Sequence, residues 1–297
     1  LSKNVTKQRK SICIFSKSFV FDIFFRNKMN YKLLCSDIDG TLLNKDRVLS
    51  SATIDQFNRV KDTCHCVLAS SRMPDAMRHL QKDLSIEKSP LIAYNGGLVL
   101  ADDRVLTSME IPYTIVNQIA TLAINTEVHV SIYNANDWFV PQWDYWAERE
   151  TNNTKVKPTV RNIQETLSEF KLTNRGAHKV MCMGPAEEIA EIYKSLVDLY
   201  EYDLHIYKSK DTYLEIANKK ISKKSAIQTL LDIEFPKLDW KQVIAFGDNY
   251  NDMEMLDAVG MGVAVGNAKP EVLAMANFIT KTNKEDGVAM AMNEIMG

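Results

Sequence analysis

From Tyr31 onward, short unbroken apolar runs alternate with amphipathic stretches. Strands are expected at 32–36, 66–69, 91–93, 243–246 and 262–265, with helices between them, for example at 53–61 and 74–84. Strands that are apolar along their whole length must be buried on both faces, which indicates a parallel sheet covered by helices on each side. Such sheets bind ligands beyond the carboxyl ends of their strands. Between about 110 and 210 the texture changes. Apolar segments at 128–133 and 137–140 flank Asn134-Ala135-Asn136, a hairpin signature. Helices are expected near 144–150 and 163–170, then a strand at 179–183 closed by Gly184-Pro185, then a long helix at 186–200. The expected fold class is α/β: a Rossmann-like parallel sheet from residues 30–109 and 211–297, with an α+β module, 110–210, inserted between. No repeat of fixed period is visible.

Composition narrows the partners. Thirty-six Lys and Arg against 38 Asp and Glu give a formal charge of −2, which argues against a nucleic-acid polymer as partner. No apolar run approaches the ~18 residues needed to cross a bilayer, so no membrane span is expected. Five cysteines (Cys13, Cys35, Cys64, Cys66, Cys182) are odd in number, and the 64/66 pair has no second pair to complete a zinc site. They read as small buried fillers in a reducing compartment, and a cytoplasmic location is expected. Residues 1–29 differ from the rest, with seven basic residues against the single acid Asp22. They read as an extension outside the folded unit, with a degenerate targeting segment as the alternative.

Candidate chemistry collects at the expected strand ends. Asp37-Ile38-Asp39-Gly40-Thr41 follows the first strand, and Ser70-Ser71-Arg72 follows the second at a turn able to cradle phosphate oxygens. Asn95-Gly96-Gly97 follows the third. Lys223 precedes a helical pattern, and Gly247-Asp248-Asn249-Tyr250-Asn251-Asp252 follows the strand ending at Phe246. Each piece alone is a weak signal; five at one sheet edge form a strong one.

On these residues the chain resembles the haloacid dehalogenase-like hydrolases, specifically their Cof-type branch of capped phosphatases. The likeness runs from Tyr31 to Gly297 and includes Asp37 to Leu43, Ala69 to Arg72, Asn95-Gly96 and Leu214-Glu215-Ile216 leading to Lys223. It continues through Gly247 to Asp252, Val263 to Ala268 and Glu285 to Ala289. Residues 1–29 have no counterpart. The resemblance implies a Mg²⁺-dependent phosphatase in which Asp37 attacks phosphorus and Asp39 serves as general acid and base. The implied metal ligands are Asp37, the main-chain carbonyl of Asp39 and Asp248, with Asn249 or Asp252 in or behind that set. Lys223 would neutralise the transferring group. Ser70, the Ile38 and Ser71 N–H groups, Asn95 and Asn251 would bind substrate or phosphate, and Thr41, counted with them, would orient Asp39. Ser71, Lys220 and Lys224 stand where the family usually has Gly, and Lys224 competes with Lys223 for the lysine role.

The implied substrate is a small phosphorylated metabolite, most readily a sugar phosphate, and the implied assembly a monomer or homodimer. In the inserted segment Tyr133, Trp138, Trp143, Tyr145 and Trp146 are candidates for substrate contact, each more readily explained as core. Arg175 and His178 read as a solvated loop, and His205 as structural. Two other functions compete: a sugar phosphomutase of the same superfamily, and a catalytically silent regulatory or binding protein on this fold.

Overall fold

Residues 30–102 and 104–297 are described by the computed structural model, so the expectations for 1–29 and for Cys13 lie outside the described residues. In chain order the first part forms β1 (Leu33–Ser36), α1 (Ser51–Val60), β2 (His65–Ala69), α2 (Asp75–Asp83), β3 (Leu91–Ala93), β4 (Leu98–Ala101) and β5 (Arg104–Ser108). The middle forms α3 (Tyr113–Leu122), β6 (His129–Asn134), β7 (Asp137–Val140), α4 (Tyr145–Thr154), β8 (Thr159–Val160) and α5 (Ile163–Thr173). It continues with β9 (Lys179–Met183), α6 (Ala186–Tyr200), β10 (Leu204–Lys210) and β11 (Tyr213–Asn218). The last part forms α7 (Lys223–Ile233), β12 (Val243–Gly247), α8 (Met253–Ala258), β13 (Met261–Ala264), α9 (Pro270–Met275), β14 (Phe278–Ile279) and α10 (Gly287–Met296).

The first sheet has the order β14-β13-β12-β1-β2-β3-β4-β5. It is parallel from β14 to β3 and antiparallel from β3 to β5. Alternate strand residues go to opposite faces. Leu34, Cys66, Leu68, Ile244 and Phe246 pack with α1, α2 and α10 through Phe57, Met77, Leu80 and Met292. Leu33, Cys35, Val67, Val243 and Ala245 pack with α7, α8 and α9 through Ile227, Leu230, Met255 and Val272. Both faces are therefore apolar, which is why the strands read as unbroken runs.

The second sheet has the order β10-β11-β9-β6-β7-β8. The boundary expected at 210 is corrected here: it falls inside the β10–β11 hairpin, and this sheet continues to Asn218. One face carries Val130, Ile132, Val180, Cys182, Leu214 and Ile216, covered by α3, α5 and α6. The alternate residues, Ser131, Tyr133, Lys179, Met181, Glu215 and Ala217, share the other face by register and look toward the strand ends of the first sheet. Between the sheets, Tyr94 Oη donates to the Ala135 carbonyl at 2.7 Å and Asp75 N–H to Asn136 Oδ1 at 3.1 Å. Lys179 Nζ donates to the Ser71 carbonyl at 3.1 Å.

His178 and Arg175 depart from the expected solvated loop. His178 is buried, bonded to Ser108 Oγ at 3.0 Å, and accepts the Ala135 N–H. Arg175 pairs with Asp137 at 2.6 Å and reaches Asn134 Oδ1 at 2.7 Å. Tyr133 and Trp138 are core, stacked 5.5 Å apart, whereas Trp143 and Tyr145 are exposed. The four described cysteines are free and buried, and burial pushes the Cys64 and Cys182 thiols up to about 12.

A buried polar chain ties α4 to the second sheet. Asp144 Oδ1 accepts the N–H groups of Trp146 and Ala147, capping α4, while its Oδ2 meets His129 Nδ1 at 2.7 Å. His129 Nε2 in turn meets Ser131 Oγ at 3.0 Å. Asp144→Ala removes the cap and leaves His129 half-partnered in the interior; thermal or urea unfolding should show a loss of about 1–2 kcal/mol.

Candidate active site

β1 and β12 are neighbours from which the chain proceeds in opposite directions across the sheet, β1 to β2 and β12 to β13. Such a switch point opens a crevice at the carboxyl ends of the strands. Asp37 leaves β1 there and Asp248 leaves β12.

Lys223 enters the crevice from the start of α7. Ser222 Oγ accepts the Ser225 N–H, and Ser225 Oγ accepts the Ser222 N–H, a capping box that fixes where the helix begins. Gly96 packs on that cap at φ 103°; a Cβ there would lie 2.3 Å from the Ser222 carbonyl oxygen. So fixed, Lys223 is buried and its Nζ donates to Asp37 Oδ1 at 2.5 Å and to Asp252 Oδ1 at 2.6 Å. Lys224, by contrast, is exposed. Asp252 Oδ2 accepts the N–H groups of Asp248 and Asn249 at 3.0 and 3.1 Å, so both of its oxygens are engaged. Asn249 Oδ1 accepts the Tyr250 N–H.

Asp248 is held from the other side. Gly40, at φ 90°, lies so close that a Cβ would fall 2.4 Å from Asp248 Oδ2, and Thr41 Oγ1 donates to Asp248 Oδ1 at 3.1 Å. The expectation for Thr41 is corrected accordingly: this buried hydroxyl orients Asp248, not Asp39.

Asp37, Asp248 and Asp252 each bring a carboxylate oxygen within 4.8 Å of the others. Burial raises the Asp37 carboxyl, and the charges of Asp252 and Asp248 raise it further against the pull of Lys223. Asp248 is pushed up to about 6 by burial and then by the Asp252 charge, with the Thr41 hydrogen bond opposing. Burial works against the Lys223 charge, but Asp252 and Asp37 outweigh it and hold the ammonium protonated. Three acids thus face one ammonium, and Asp37 Oδ2 is buried with no hydrogen-bond partner among the described residues. A hard cation with oxygen ligands fits that donor set.

Asp39 has a different environment. Arg72 grips it with two bonds, Nε to Oδ2 at 2.6 Å and Nη2 to Oδ1 at 2.8 Å, and Arg47 Nη2 reaches Oδ1 at 2.7 Å. Burial pushes this carboxyl up, but the Arg72 hydrogen bonds and the two guanidinium charges outweigh it and hold Asp39 below its ordinary value. Arg72 is fixed in turn, its N–H donating to Ser70 Oγ at 3.2 Å and its carbonyl accepting the Tyr94 N–H. Ser71 does not adopt positive φ, so the Gly usual in the family is not required there. Ile38 is buried and packs in the core, and Asn251 Nδ2 donates to Asn95 Oδ1 at 3.0 Å.

A cavity of about 360 Å³ opens beside Lys223, and Asp37, Asp39, Asp248 and Asp252 are not among its lining residues. Ser71, Asn95, Lys223, Asn249 and Asn251 line it from the first sheet, and His205, Tyr207 and Glu215 from the second. His205 is therefore exposed on the cavity side of β10, which corrects the structural reading of it. None of the five candidate aromatics is among the lining residues. Arg47, Lys179 and Tyr207 carried no signal in the sequence beyond their residue types.

A sequence profile of the haloacid dehalogenase-like hydrolases matches residues 34–292. The chain is 33% identical over 270 residues to a Haemophilus influenzae protein bearing a provisional phosphatase name, an alignment spanning 90% of this chain and 98% of that one. It is 30% identical over 273 residues to 5-amino-6-(5-phospho-D-ribitylamino)uracil phosphatase YitU of Bacillus subtilis, spanning 88% and 96%. A haloacid dehalogenase-like hydrolase from Bacteroides thetaiotaomicron superposes with a TM-score of 0.80 at 28% identity, covering 89% of this chain and 99% of that one. With this geometry, the relatives make the chain a phosphoric monoester hydrolase. It belongs to the haloacid dehalogenase-like hydrolase family, in the Cof-type branch.

Because Arg72 and Arg47 depress Asp39, their pairing contributes stability above the unfolded value, about 3.9, and loses it as pH falls through the folded one. In Arg72→Ala the Asp39 carboxyl should titrate at higher pH, followed by ¹³C NMR of the side chain. An unchanged titration would mean that Arg47 alone sets it.

Proposed function

We propose that the chain hydrolyses small phosphorylated metabolites, sugar phosphates foremost, in a Mg²⁺-dependent reaction that passes through an aspartyl phosphate. The observation that carries this reading is the division of labour within one carboxylate: Asp37 Oδ1 is bonded to Lys223, and Oδ2 is buried without a partner among the described residues. An oxygen held ready in this way attacks the phosphorus in line, and the ester P–O bond breaks as the Asp37 O–P bond forms. Asp39 protonates the departing alkoxide oxygen. It then takes a proton from the water that attacks the phosphoenzyme, which frees Asp37 and inorganic phosphate. The guanidinium grip suits the second half, where Asp39 acts as a base; a phosphate dianion arriving beside it favours the protonated form needed in the first.

Mg²⁺ would be held by Asp37, Asp248 and the Asp39 carbonyl, and when bound it supplies the positive charge that lets acids and phosphate share one site. Asp252, with both oxygens engaged, supports that set from behind, as does Asn249. Lys223 pulls Asp37 toward its ionised form and neutralises the transferring group. Ser70, Ser71, the Ile38 N–H, Asn95 and Asn251 are assigned to substrate and phosphate oxygens. The second sheet acts as a cap over the cavity. The relative named for a phosphorylated ribityl compound supports a polyol-like substrate. Free buried cysteines support a reducing, cytoplasmic setting.

The deciding assay is release of phosphate from p-nitrophenyl phosphate with and without Mg²⁺. Asp37→Asn should lower kcat by at least about 10³-fold, since its amide cannot serve as the nucleophile; retained activity would remove Asp37 from the role. Saturating Mg²⁺ should raise the melting temperature of the native chain by binding only the folded state, and Asp248→Asn should abolish most of that rise.

A further inference from the structure

We infer that the cavity selects a neutral, hydroxyl-bearing leaving group and turns away one carrying a second anionic group. This rests on the phosphatase reading and adds what lies beyond the phosphate. The wall contributed by the second sheet is set by strand register: Tyr207 pairs with Glu215 and His205 with Ala217 across β10 and β11. Their neighbours Leu214 and Ile216 face the helices, so these side chains face the cavity. Glu254, from α8, stands on the opposite wall.

The charges are unevenly distributed. Lys223 is the one Lys or Arg among the described lining residues, and both Asp37 and Asp252 engage it. Lys179 is near Glu215 in charge but is directed elsewhere, its Nζ on the Ser71 carbonyl and 4.6 Å from the Tyr133 ring centroid. Lys219 lies in the exposed turn that follows β11. The Glu215 carboxylate has no hydrogen-bond or ion-pair partner among the described residues, and it borders the cavity. A sugar hydroxyl donates well to such an acceptor, a charge-assisted bond. A second phosphate or a carboxylate would instead meet Glu215 and Glu254, with no Lys or Arg besides Lys223 among the described lining residues, and that repulsion acts against the wrong ligand. A sugar bisphosphate is excluded on the same grounds, which separates this site from that of a phosphomutase, where a bisphosphate must be retained.

Competition against p-nitrophenyl phosphate hydrolysis tests this without requiring that the competitor turn over. Glucose 6-phosphate should compete at least about tenfold more tightly than 6-phosphogluconate or fructose 1,6-bisphosphate, equivalent to one decade in affinity. Glu215→Gln should narrow that gap at least about threefold by easing the repulsion. Glu254→Gln, an exposed helix position, should narrow it in the same direction and serves if Glu215→Gln does not fold. Equal or tighter competition by the anionic compounds overturns the inference and leaves the phosphatase reading standing, as does failure of glucose 6-phosphate to compete. No hydrolysis of p-nitrophenyl phosphate by the native chain overturns the phosphatase reading, and this inference with it.

Discussion

One buried ammonium holds the functional end of this molecule together. Lys223 lies between Asp37 and Asp252, residues 186 and 29 positions away in the chain, and bonds both. Taking such charges out of water costs several kcal/mol per ion, and removing one partner of a buried set typically costs about 3–5 kcal/mol. The three groups can therefore be buried only together. That requirement fixes the ends of β1 and β12 and the first turn of α7 relative to one another. Asp252 transmits the constraint onward, because its second oxygen holds the backbone on which Asp248 sits.

The two carboxylates of the Asp37-Ile38-Asp39 segment are driven apart by their surroundings. Asp37 is crowded by Asp252 and Asp248 in a dry setting and is pushed up. Asp39 is gripped by two guanidinium groups and held down. Placing Ile38 in the core sends its neighbours to the same side of the chain, yet their partners come from different elements, α7 for one and the turn after β2 for the other. Divergent environments of this kind are how one pair of like residues takes on two chemical tasks.

Much of this was legible in the residues. The apolar strands 91–93 and 179–183, the helix 186–200 and the hairpin around Asn134-Ala135-Asn136 appear at the positions their patterns predict. Local patterns failed where the partner of an element decides its place. The alternating segment 213–218 reads as a strand, but nothing within it says that β9 and β10 flank it, so a boundary at 210 cuts the β10–β11 hairpin. The resemblance implies that Thr41 orients Asp39, two residues away, whereas the fold sets it against Asp248, 207 positions away. His205 carried an apolar neighbourhood in sequence because the alternate residues Leu204 and Ile206 go to the other face of the sheet.

The sequence by itself determined the α/β class of the parallel sheet and which acids stand near the strand ends, because hydrophobic periodicity and turn chemistry are local; that Lys223 rather than Lys224 is the buried lysine was decided by the fold. Only the tertiary structure decided that Arg72 and Arg47 clamp Asp39, that Lys179 crosses from one sheet to the other, and that Glu215 borders the cavity while Tyr133, Trp138, Trp143, Tyr145 and Trp146 do not. These depend on through-space distance and on which face of a strand is buried. Charge and hydrogen bonding act across a few ångströms, however many residues of chain lie between.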